Sequence, residues 1–105
     1  MTRKQIAFCR AYFENPVGAD AARRAGYSEK TSRQIAWKIK HKSKVNLDTL
    51  FYAYSILTKP AWPWDINGRF LSPKEAAAAH EAFFKTAILP AWFIDDMNNG
   101  RYIKE

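Results

Sequence analysis

At 105 residues, with 48% hydrophobic and 15% aromatic side chains, the chain can build the packed core of one domain, or of a small domain with an appended element, which excludes wholesale disorder. No apolar run approaches the ~20 residues of a membrane helix, and the charged N-terminus lacks the apolar stretch of a signal peptide. The net charge of +7 is unevenly placed: residues 1–44 hold eleven Lys and Arg against Glu14, Asp20 and Glu29, a net +8, whereas residues 45–105 hold six bases against seven acids, a net −1.

A basic half beside a near-neutral half points to a polyanionic partner for the first part only, with a solubilising surface as the plainer alternative. Thr2 is placed to cap a first helix, with Gln5 three residues later completing a capping box. Ile6, Cys9, Tyr12 and Phe13 form its inward stripe, bordered by Phe8, and Asn15-Pro16 ends it because the residue before proline is pushed out of the helical region. Cys9 is the single cysteine, which excludes an internal disulfide, fits a reducing cytosol and reads as a buried small hydrophobe.

A short second helix opens at Val17 or Gly18 and runs to about Arg24, with Ala19, Ala21, Ala22 and Ala25 small enough for close helix approach. Gly26 suits the left-handed residue that closes a helix. Tyr27 then packs back on the first helix, a phosphate contact through its hydroxyl being the alternative. Ser28 caps a third helix spanning Glu29 to about His41. There Ile35 and Ile39 share one face, while Lys30, Arg33, Gln34, Trp37, Lys38 and His41 spread over the other. Residues 18–44 thus read as a helix-turn-helix. The tail from Lys38 to Lys44 carries a base at every second position, which one helical face cannot hold, so part of it is expected to fray or become a linker touching a nucleic-acid backbone.

Asn46 caps a fourth helix over residues 47–58, along which Leu47, Leu50, Phe51, Tyr54 and Leu57 recur at helical spacing until Lys59-Pro60 stops it. Pro60-Ala61-Trp62-Pro63-Trp64 suits neither a helix nor a central strand, and Asn67-Gly68 between Ile66 and Phe70 signals a short two-stranded ribbon over residues 64–71. Ser72-Pro73-Lys74-Glu75 starts a fifth helix running to about Leu89, with Ala76, Ala79, His80, Phe83 and Ala87 on one side and Phe84 and Ile88 widening it. After Pro90 a further helical piece covers Ala91 to Met97, ended by Asn98-Asn99-Gly100, with a tail from Arg101 to Glu105. The fold class is therefore mostly α: an N-terminal three-helix domain over residues 1–45, then a helical hairpin region with the possible short ribbon over residues 46–105.

No catalytic constellation stands out. His41 and His80 lie in different segments, Asp95-Asp96 point different ways on a helix, and the four glycines form no phosphate-cradling loop, so neither an enzyme, a metal site nor a cofactor is expected. The second half is instead rich in rings: Trp62, Trp64, Phe70, Phe83, Phe84, Trp92, Phe93 and Tyr102 supply either a core or a contact surface between subunits.

Thr2-Arg3-Lys4-Gln5, Phe8-Cys9, Tyr12, Ala21-Ala22, Ala25-Gly26-Tyr27-Ser28, Thr31, Arg33-Gln34 and Lys44-Val45 resemble, in order and spacing, the N-terminal domain of phage terminase small subunits. The resemblance covers about the first 45 residues and departs at Trp37 to Ser43, where the family has a leucine-rich helix end followed by Asn-Pro. It implies a DNA-binding subunit in the host cytoplasm that recognises viral DNA for packaging and presents it to the large subunit, which holds the ATPase and nuclease. By that implication Arg23, Arg24, Lys30, Thr31, Arg33, Gln34, Trp37, Lys38, Lys40, His41 and Lys42 meet double-stranded DNA. By position, residues 46–89 assemble subunits into a ring and residues 90–105 dock on the packaging machinery, with Trp62, Trp64, Phe83, Phe84, Ile88 and Trp92 as contact residues. Two rival readings share these residues. One is a helix-turn-helix transcription regulator; the other is a phage-encoded interaction module or inhibitor working through the Trp-rich half.

Overall fold

Thr2 opens the first helix as its spacing predicts: the Gln5 amide donates to Thr2 Oγ1 at 3.2 Å and the Thr2 amide to Gln5 Oε1 at 2.9 Å. In the computed structural model, which describes residues 2–42, 46–59 and 62–103, this helix α1 (Arg3–Glu14) is followed by α2 (Gly18–Arg24), α3 (Ser32–Lys42), α4 (Leu47–Thr58), α5 (Pro73–Thr86) and α6 (Ala91–Asn98). No strand occurs among the described residues, and no helix among them is long and apolar enough to cross a membrane. The chain divides into two compact units, residues 1–51 and 52–105, with the boundary inside α4.

In the first unit, α1 buries Phe8, Cys9, Tyr12 and Phe13, with Phe8 fully enclosed and Ile6 only half-buried, so the stripe is centred one side further round than the sequence spacing placed it. Tyr12 meets Phe51 edge-on at 5.6 Å, and Leu47 and Leu50 are buried. Burial pushes the Cys9 thiol up to about 12, which keeps it protonated and unreactive at neutral pH. Ala21 and Ala22 of α2 are fully buried. At the start of α2 a Cβ on Gly18 would stand 3.1 Å from Ala36 Cβ, so glycine there allows a close approach of α2 and α3.

The turn after α2 is a Schellman motif: the Gly26 amide donates to the Arg23 carbonyl and the Tyr27 amide to the Ala22 carbonyl, both at 3.0 Å, with Gly26 at φ 100°. α3 then begins at Ser32, three residues later than the sequence predicts. The Ser28 carbonyl accepts the Thr31 amide at 3.1 Å, and Ser32 Oγ donates to the Glu29 carbonyl at 3.0 Å, so Ser28 to Thr31 form a separate turn. Of the tail from Lys38 to Lys44 that is expected to fray in part, α3 holds its helical form through Lys42, while Ser43 and Lys44 lie outside the described residues, as do Val45, Pro60 and Ala61.

Asn46, still in the first unit, caps α4 as expected, its Oδ1 accepting the Asp48 and Thr49 amides at 2.9 and 3.3 Å, and the second unit begins at Tyr52 within that helix. The ribbon over residues 64–71 reduces to one antiparallel bridge, Trp64 to Phe70, because Asp65 folds the tip on itself: its Oδ1 accepts the Asn67 and Arg69 amides at 2.9 and 2.8 Å. α5 starts at Ser72, as the cap and proline predict, but stops at Thr86 rather than near Leu89. Pro90 has no N–H to offer the Thr86 carbonyl and its ring would press on it, so Ala87 turns extended (ψ 136°) and Ile88 leaves the helix, 93% exposed. Phe93 is fully buried and stacks on Tyr102 at 5.1 Å. Tyr102 meets Tyr54 edge-on and donates to Asp96 Oδ2 at 2.7 Å, so the expected tail contributes to the core.

The space around Gly26 is open, its nearest neighbour being Lys4 Cε at 3.9 Å, so substitution there strains only the backbone. Gly26→Ala is expected to destabilise the first unit by about 1 kcal/mol or more; an unchanged midpoint in chemical unfolding followed through that unit would contradict the Schellman assignment.

Candidate nucleic-acid interface

The spacing of apolar residues orients α3. Ser32, Ala36 and Ile39 turn inward and Ile35 is half-buried, which leaves Arg33, Gln34, Trp37, Lys38, Lys40, His41 and Lys42 exposed. Lys30 and Thr31 stand exposed in the turn before it. Trp37 is 54% exposed, far more than a core tryptophan tolerates. Its ring is steadied from the C-terminal side by His41, centroids 5.0 Å apart, and by Lys42, whose Nζ lies 5.6 Å from the indole. On its N-terminal side an open recess of about 450 Å³ is lined by Arg33, Gln34, Trp37 and Lys38. A second recess, of about 220 Å³, lies along the flank of α3 between Gln5, Tyr27, Ile35, Lys38, Ile39 and Lys42.

The charges of this unit are not equivalent. All three acids of the first 44 residues pair with the two arginines of α2: Arg23 meets Asp20 at 3.5 Å and Glu29 at 3.7 Å, and Arg24 meets Asp20 at 2.9 Å and Glu14 at 3.6 Å. Arg24 also donates to the carbonyls of Ala11 and Asn15 at 2.9 and 3.4 Å, tying α2 to the end of α1. Lys4 reaches the Gly26 carbonyl at 3.5 Å and lies 5.4 Å from the Tyr27 ring, so Tyr27 does pack towards α1. Lys40 rests 5.6 Å over Tyr12. α3 carries no acidic residue, so its outer face keeps the positive charge that α2 has neutralised.

Of the residues named for DNA from the sequence, the structure gathers Arg33, Gln34, Trp37 and Lys38 around one recess, with His41 and Lys42 against the indole. Lys40 lies towards α1, and Arg23 and Arg24 are engaged with acids. The structural part of Arg24 was missed, although Asp20 stands at the i, i+4 spacing that signals it. In the second unit the six residues named for partner contact have different neighbours. Trp62 is half-buried under Lys59, Trp64 is exposed and edge-on to Phe70 at 5.5 Å, and Phe83 and Phe84 pair at 5.2 Å, both half-buried. Trp92 is half-buried beside Phe93, and Ile88 stands free of α5 in solvent. Asp95 is exposed while Asp96 is turned inward onto Tyr102, so the pair does not act together.

The first unit is thus all-helical among the described residues, and its third helix presents cations, an amide and an indole on one acid-free face. Residues 1–48 match the family model described as terminase small subunit, in agreement with the resemblance carried by the first 45 residues. No curated protein and no solved structure matches the chain. What is similar to the terminase small subunit is thus the first unit; residues 49–105 fall outside the match.

Arg24→Ala is expected to lower the stability of the first unit by about 1–2 kcal/mol, since charge-assisted bonds to two carbonyls are lost from a partly exposed site. Lys38→Ala should stay within about 0.5 kcal/mol of the parent. Equal effects of the two in urea unfolding would contradict this division between a tying arginine and a surface lysine.

Proposed function

We propose that the chain is a DNA-binding small subunit of a phage terminase, its first unit engaging duplex DNA through the outer face of α3 in a helix-turn-helix mode and so presenting viral DNA to the large subunit. The observation that carries this is the exposed set Arg33, Gln34, Trp37 and Lys38 on an acid-free helix, in the segment that matches the terminase small subunit. Arg33 and Gln34 lie near the start of α3, where recognition helices meet base edges, and Lys38, Lys40 and Lys42 lie later, where phosphates are met. The role is binding rather than catalysis.

The full chain is expected to bind duplex DNA with an affinity that falls steeply as salt rises, because each neutralised phosphate releases counterions. Arg33→Ala or Gln34→Ala should cost about 1–3 kcal/mol on a preferred site and relax preference there, whereas Lys42→Ala should weaken all sequences alike. Fluorescence anisotropy over a salt series checks this. A chain that leaves duplex DNA unbound at low salt overturns the reading, and equal effects of both classes of variant on every sequence restrict it to backbone contact.

Residues 46–89 we assign to self-association, into a ring if the family's behaviour carries over, with residues 90–105 docking on the packaging machinery. Supporting this, Phe70 is 66% exposed and Trp64, Ile66 and Ile88 are exposed in the assembly segment, as are Ile94 and Ile103 in the docking segment. Ile88→Asp, at a position with almost no packing to lose, and Phe84→Asp are both expected to dissociate the assembly with helicity retained. Sedimentation of the parent chain as a monomer across micromolar concentrations would overturn the assignment.

A further inference from the structure

The face of α3 is basic, yet its centre is not. The recess among Arg33, Gln34, Trp37 and Lys38 has a mostly apolar lining, formed by one side of the indole and the stems of the longer side chains, with their charged heads at its edge. Trp37 meets His41 and Lys42, which follow it on α3 and do not line the recess, whereas Arg33 and Gln34, one turn earlier, line it with the indole, which is 54% exposed. An apolar hollow set within donors and cations calls for a ligand that is anionic and polar at its margins and apolar at one point. The major groove of B-DNA offers one such group among its polar base edges, the C5-methyl of thymine, which stands beside the O4 acceptor and between flanking phosphates.

We infer that Trp37 is a specificity residue which reads the thymine methyl group in the recess, with the Arg33 and Gln34 donors at its margin available to the neighbouring base edges. The inference rests on the duplex-binding reading and deepens it. The exposure of Trp37 is then functional: an indole left in water on a helix whose other apolar residues are buried or half-buried gains by covering a methyl group on binding. The margin supplies the charge complementarity, since Lys38 lines the recess, Lys42 stands behind the ring and α3 bears no acid to repel a phosphate.

The test compares the full chain on an alternating adenine–thymine duplex and on its adenine–uracil counterpart, which keeps every hydrogen-bonding group and removes only the methyl. The parent should bind the thymine duplex about fourfold more tightly or better, the value of one methyl group withdrawn from water. Trp37→Ala should abolish the difference, Trp37→Phe should keep part of it, and Lys40→Ala should weaken binding to both duplexes while leaving their ratio unchanged. Parent binding that is equal on the two duplexes overturns the inference and leaves the duplex-binding reading standing. A ratio that survives in Trp37→Ala also overturns it, since the methyl would then be read elsewhere. Failure to bind either duplex at low salt is instead the failure of the duplex-binding reading.

Discussion

The first unit depends on the guanidinium of Arg24. The chain leaves the helical region at Asn15, ahead of Pro16, where the last carbonyls of α1 form the negative end of its dipole. Arg24 adds a second donor to the carbonyls of Ala11 and Asn15, which already accept the Asn15 and Val17 amides, while Asp20 and Glu14 hold its charge from either side. One side chain thereby fixes α2 against α1 from the last residue of α2 itself. The Schellman turn follows at once, and with Gly18 set against Ala36 it determines where α3 lies. An error in the placement of α2 would carry straight into the orientation of Arg33, Gln34 and Trp37.

The same arrangement divides the basic residues into two kinds. The acids of the first 44 residues are spent on Arg23 and Arg24, whose ion pairs at a largely exposed surface contribute little each but cancel charge locally. Lys4 lies over the Tyr27 ring and reaches the Gly26 carbonyl, whereas Lys40, near the Tyr12 ring, remains exposed on α3. The net +8 of the segment therefore overstates the charge available to a polyanion from α2 and concentrates what is left on α3 and the turn before it. Long-range attraction follows net charge, whereas close contact follows the side chains whose heads are not already engaged.

The helices were legible wherever a local signal specified them. The capping box at Thr2, Asn46 before α4, Ser72-Pro73 before α5 and glycine after α2 each act within four residues, and α4 has the boundaries that its spacing predicts. Misplaced boundaries arose where two local preferences compete. The Thr31 and Ser32 hydroxyls donate to the carbonyls of Ser28 and Glu29 and make a turn of what otherwise resembles a first helical turn, and Pro90 acts four residues back on α5. On α3 the outward face was legible from Ile35 and Ile39, but the recess was not, since it depends on how Trp37 leans between Gln34 and His41. The central place of Phe8 likewise depends on what faces α1, which spacing alone does not encode.

In the aromatic half, composition cannot separate core rings from surface rings, and the backbone of the loop between α4 and α5 decides the matter. The Trp64 carbonyl accepts the Tyr52 hydroxyl at 3.1 Å and stands 3.4 Å from His80 Nε2, two buried side chains that strap the loop from within. Burial, with the Asp65 carboxylate adding to it, pushes the Tyr52 phenol up, so it remains a donor at neutral pH. Asp65 closes the tip, and Leu71 is buried at its end. With its backbone committed at both margins, the loop keeps the rings of Trp64 and Phe70 edge-on to each other and outside the core. Rings presented by a strapped loop lose less freedom on meeting a partner than rings on a loose one, and that lowers the cost of using them as a contact surface. The hydrogen bonds that bury Tyr52 and His80 are thus also what keeps Phe70 exposed.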